Sequence, residues 1–85
     1  MEETQMFTEI EIKKVTELTK QIMHDWQIKV ALERDLVTIG KPSFWPLTLS
    51  KNEKGQLIFN RHAARLTNVD ALHLAYLEGK LASLV

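Results

Sequence analysis

His24, His62 and His73 are the side chains in this sequence best suited to metal binding or proton transfer, because an imidazole titrates near neutral pH and can donate or accept. Their spacing argues against either use. No two stand at i and i+4, the separation that sets two ligands side by side on one helical face, and there is no cysteine to complete a zinc set. Asp70 and His73 share a face at i, i+3 if their segment is helical, whereas His24 and Asp25 are neighbours that point differently. Ser43, Ser50 and Ser83 lack the context of a nucleophile elbow. Gly40, Gly55 and Gly79 are isolated, so no glycine-rich loop exists to cradle a phosphate. The expectation is a chain with no catalytic residue, no metal site and no cofactor.

Two other groupings point to binding. Lys51, Lys54, Arg61 and Arg65 lie within fifteen residues around a turn, with Glu53 opposing them. On a hairpin between helices these cations could serve as a nucleic-acid wing, with Arg61 and Arg65 as the contacts. Against that reading, eleven Lys and Arg balance eleven Asp and Glu, so the field that draws a protein to phosphates is missing. No helix-turn-helix with a short glycine turn precedes the hairpin. The second grouping is Phe44, Pro46 and Ile58, which alternation places on one face of the hairpin, rimmed by Lys51 and Lys54. An aromatic in such a patch is the kind of residue that anchors a protein partner.

The elements that must position these residues can be read from caps and periodicity. Thr8 and Glu11 form an S/T-x-x-E capping box flanked by Phe7 and Ile12, and Val15, Leu18, Ile22, Trp26 and Val30 recur every three or four residues behind it. Ile28, Val30 and Leu32 also alternate as a strand would. With no turn signal before Ile39, the pattern favours one helix to about residue 36, stopped by Gly40 and Pro42. Residues 44–50 and 56–60 then form a hairpin about the turn 51–55, with Trp45, Leu47, Leu49, Leu57 and Phe59 on the core face. Trp26 and Trp45 are expected to share that core.

A second helix is expected to begin after Asn60 or, on stronger cap signals, at Thr67 or Asn68. Its apolar residues cover more than one face. Val69, Leu72 and Tyr76 suffice to meet the hairpin and the first helix, which leaves Leu74, Leu77, Leu81 and Leu84 as a stripe for a two-fold partner. Gly79 interrupts this stripe and is a possible stop.

Eighty-five residues without a linker make one small domain, 1–85, whose modest core leaves little room for a deep cleft. No apolar run approaches the roughly 18 residues needed to span a bilayer, and none follows a basic start, so cytoplasmic residence without membrane association is expected. The fold class is α+β in two layers: a long N-terminal helix, a central β-hairpin and a C-terminal helix. The function expected is non-catalytic, a small interaction or regulatory protein that is homodimeric and binds a protein partner's surface. A DNA-associated regulator using Arg61 and Arg65 is the alternative.

Overall fold

Two helices bracket a four-stranded sheet in the computed structural model, which describes residues 6–31, 34–62 and 66–84. The order is α1 (Glu9–Ile22), β1 (Gln27–Val30), β2 (Val37–Lys41), β3 (Phe44–Lys51), β4 (Leu57–Arg61) and α2 (Asn68–Ala82). The strands form one antiparallel meander, β1-β2-β3-β4. This is an α+β domain, with twice the strands that the sequence patterns predict.

α1 begins where its capping box places it. The Thr8 N–H donates to Glu11 Oε1 at 2.9 Å, and the Glu11 N–H donates to Thr8 Oγ1 at 3.1 Å. Glu11 has a second task. Lys51 Nζ, at the end of β3, donates to both of its oxygens at 2.7 and 2.6 Å, and lies 5.2 Å from the centroid of the buried Phe7 ring. One carboxylate therefore closes a helix terminus and ties it to a strand forty positions away in the chain. The N-terminal segment is also held by the Arg34 carbonyl, which accepts from the Phe7 N–H at 2.9 Å. Arg34 has φ of 60°, a left-handed conformation in the β1–β2 connection.

The helix does not continue to residue 36. It stops at Ile22, Met23 departs to φ −129° and ψ 82°, and a turn through His24 and Asp25 leads into β1. β-Branched Ile28 and Val30 alternate with Gln27 and Lys29, and the run Val37-Thr38-Ile39 is β-branched throughout. Such residues lose side-chain freedom in a helix and pack well on a pleated surface. Their pairing, with Ile28 opposite Ile39 and Val30 opposite Val37, buries both β2 residues completely and half-buries their partners. Leu32 and Glu33, within the span expected to be helical, lie outside the described residues.

Gly40 and Pro42 punctuate a hairpin rather than a helix end. Lys41 pairs with Phe44 across Pro42-Ser43, and proline's fixed φ suits the first central position of a tight turn. Neither central residue has positive φ, so this is not one of the primed turns that match strand twist. The mismatch accompanies a register shift between Ile39 and Lys41. At the shift the chains crowd: a Cβ on Gly40 would lie 2.2 Å from the Phe44 carbonyl oxygen, 2.5 Å from Pro46 Cδ and 2.7 Å from Trp45 Cα. Only glycine fits there.

The irregularity also changes which way Trp45 faces. Beyond it the ladder is regular, with Val37, Leu49 and Phe59 in one row and Ile39, Leu47 and Arg61 in another, all on the helix side. Trp45 does not join Leu47 and Leu49 there. It stands half-buried beside Thr38 and Thr48 on the opposite face of the sheet, while Pro46 is fully buried. The core consists of Phe7, Val15, Met23, Trp26, Val37, Ile39, Leu47, Leu49, Leu74, Leu77 and Leu81. The buried Thr19 hydroxyl donates to the Val15 carbonyl at 2.8 Å.

These placements separate the two tryptophans. Trp26→Ala is expected to cost about 3–5 kcal/mol through loss of core packing, and Trp45→Ala about 1–2 kcal/mol. Urea unfolding of the two variants checks the order. The Glu11 carboxyl carries a second expectation: burial raises its pKa, but the hydrogen bond from Lys51, the Thr8 amide and the lysine charge outweigh burial and hold it below its ordinary value. A depressed carboxyl stabilises the fold above its unfolded pKa, and that contribution is lost as pH falls through the folded value. Acid unfolding of Glu11→Gln should therefore show a shallower loss of stability across the carboxylate range than that of the parent.

Candidate functional site

The residues singled out for chemistry are dispersed or unorganised. His24 and His73 do approach one region, a cleft of about 250 Å³ where the end of α1 meets the start of α2, lined also by Asp25, Trp26, Lys41 and Asp70. Both imidazoles are exposed, and among the described residues no side-chain hydrogen bond fixes either histidine or either aspartate. Nor does any group of three His, Cys, Asp or Glu among the described residues have the arrangement to hold a metal ion. His62 is elsewhere, with Nε2 hydrogen-bonded to Thr48 Oγ1 on the outer sheet face. Ser83 caps α2 and donates to the Lys80 carbonyl at 2.7 Å.

The cations expected to line a wing do not form one surface. Lys51 is half-buried, its side chain 9% exposed against Glu11. Arg61 faces the helices, where its Nε donates to Glu78 Oε2 at 2.9 Å. Lys54 is exposed in the β3–β4 turn, and Arg65 lies outside the described residues. The two cations proposed to act together at the turn, Lys51 and Lys54, thus have opposite fates, because Lys51 falls on the core side of β3.

The apolar patch predicted on the hairpin is not assembled either. Pro46 is fully buried at the bulge, Phe44 is half-buried, and of the three only Ile58 is exposed. In their place the outer face of the sheet carries a shallow groove of about 310 Å³, bounded by Lys29, Ala31, Leu36, Thr38, Trp45, Thr48 and His62. Sequence alternation missed this groove because the shift at Gly40 moves Trp45 across the sheet.

The most distinctive surface is on α2. Leu74, Leu77 and Leu81, expected to meet a second copy, have no exposed surface and form the core contact of this helix; Leu84 lies partly exposed beyond its end. Val69, Leu72 and Tyr76, expected in the core, are 59%, 71% and 57% exposed. The assignment is reversed for a physical reason. The leucine stripe from Leu74 to Leu81 is aliphatic throughout, whereas a buried Tyr76 would need a hydrogen-bond partner for its hydroxyl. Thr67 sets the phase by capping the helix, its Oγ1 accepting from the Asp70 N–H at 3.0 Å.

Opposite the core, α2 presents Asn68, Val69, Leu72, Ala75, Tyr76 and Gly79, all exposed and none ionised. Lys80 lies at the border, its Nζ 5.3 Å from the Tyr76 ring centroid. α1 is the contrast: its exposed positions include Lys13, Lys14, Glu17 and Lys20. Gly79 does not end the helix, and no atom lies within 4 Å of where its Cβ would be. A glycine there costs about 1 kcal/mol relative to alanine, and crowding within its own chain does not explain it.

Comparison of the chain with models of known protein families, with curated proteins and with solved structures finds no match. Among the described residues, no helix is long and apolar enough to cross a membrane.

The two faces of α2 make opposite demands. Leu77→Glu puts a charge into the core and should abolish cooperative unfolding, whereas Leu72→Glu should change stability by no more than about 0.5 kcal/mol. Circular dichroism with urea titration checks both.

Proposed function

We infer that this chain is a small interaction protein that acts by docking the outward face of α2 on a protein surface. The observation that carries this reading is the composition of that face: large apolar side chains more than half exposed, separated by small or uncharged residues. A helix that is apolar on both faces is ordinarily covered on both. Fully covering one of these side chains is worth about 1.5–3 kcal/mol, so three together provide a substantial drive for association. The reading keeps the C-terminal helix as the site of association and exchanges its faces, with Val69, Leu72 and Tyr76 in place of Leu74, Leu77, Leu81 and Leu84. It assigns no catalytic step and no cofactor.

Site-specific photo-crosslinking in the cells the chain comes from tests this reading. A benzophenone side chain in place of Tyr76 should give covalent protein adducts at several times the yield of the same group in place of exposed Lys14. Equal yields from the two positions, or none from either, would overturn the assignment.

A further inference from the structure

Resting on the reading of α2 as the docking face, we propose that its occupant is α2 of a second copy, packed antiparallel about a two-fold axis. The spacing along the outward face is self-complementary. Val69, Leu72, Tyr76 and Gly79 follow at intervals of three, four and three, which read the same in either direction. An antiparallel pair centred on this run sets Leu72 against the partner's Tyr76 and Val69 against the partner's Gly79. Each contact is then made twice, as a two-fold interface requires. The intervals are those of a coiled-coil seam.

Size and charge agree with that register. The larger residue at one end of the run meets the residue without a side chain at the other, which allows the helix axes to approach to the usual 8–10 Å. This gives Gly79 a role that its own chain does not, since nothing of that chain occupies the space its Cβ would take. Lys80 falls opposite the partner's Asn68 rather than another cation. The formal charge is zero, so two copies do not repel. α2 is about 22 Å long, and one such pair buries less than the roughly 800 Å² per partner of a standard stable interface. The dimer is therefore weak, forming and dissociating across the micromolar range.

Sedimentation velocity from low micromolar to near-millimolar concentration, combined with cysteine cross-linking, tests the proposal. The average mass should rise from 9.8 kDa toward twice that value with concentration. Leu72→Glu and Gly79→Leu should each weaken association at least tenfold while keeping the parent's circular dichroism. The chain has no cysteine, so Val69→Cys and Gly79→Cys report register directly. Mixed, they should form a disulfide-linked heterodimer under mild oxidation, and neither alone should do so. Association unaffected by Gly79→Leu, or homodisulfides from Val69→Cys alone, would overturn the arrangement. A monomer at every concentration whose crosslinker at position 76 still captures another protein would overturn the second copy as occupant and leave the docking face standing; a monomer with no adduct would remove both.

Discussion

The Glu11 carboxylate is the joint on which this small fold turns. On the third residue of α1, it accepts from the Thr8 N–H at the cap, and the same group accepts from the half-buried ammonium of Lys51. Partial burial of a lysine is costly unless the charge is paired, and here it is paired by two short contacts and backed by the ring of Phe7. The start of α1 is thereby fixed in rotation as well as position, which directs Val15 and Thr19 onto the sheet. Arg61 and Glu78 form a corresponding but more open link between β4 and α2. Among the described residues, each helix is thus joined to a strand by an ion pair as well as by its apolar stripe, and Glu9 of α1 also pairs with Arg34 of the β1–β2 connection.

With both helices on one side, the other face of the sheet carries Lys29, Thr38, Trp45, Thr48, Ile58 and His62. The register shift at Gly40 makes this division possible. Without it Trp45 would stand on the helix side, next to Leu47, in space that the core leucines fill. The close approach at Gly40 therefore accompanies the turning of Trp45 to the outer surface.

Much of this was legible in the sequence where a local chemical signal exists. The Thr8–Glu11 box marks the start of α1, Thr67 marks the start of α2, and the alternating segments about residues 51–55 are the β3–β4 hairpin. The β1–β2 hairpin was not legible, because no glycine or proline separates Trp26 from Ile39, and residues at helical spacing through Val30 continued the stripe of α1. The β-branched run Val37-Thr38-Ile39 was the available warning. The outward face of α2 was missed for a different reason: apolar residues surround the helix, so periodicity offers two solutions and only the sheet chooses between them. The face of Trp45 depended on a bulge, which shifts every residue before it relative to those after it.

The meander order has a kinetic consequence. Every strand pairs with its neighbour in sequence, and no ladder pair joins residues farther apart than Leu47 and Arg61. Loops this short close cheaply, so the three hairpins can zip successively without a long search. The Glu11–Lys51 link spans forty positions and gains its full strength only after β3 has been placed. The sheet is thus the region suited to nucleate folding, and the docking of α1 is the step that locks it.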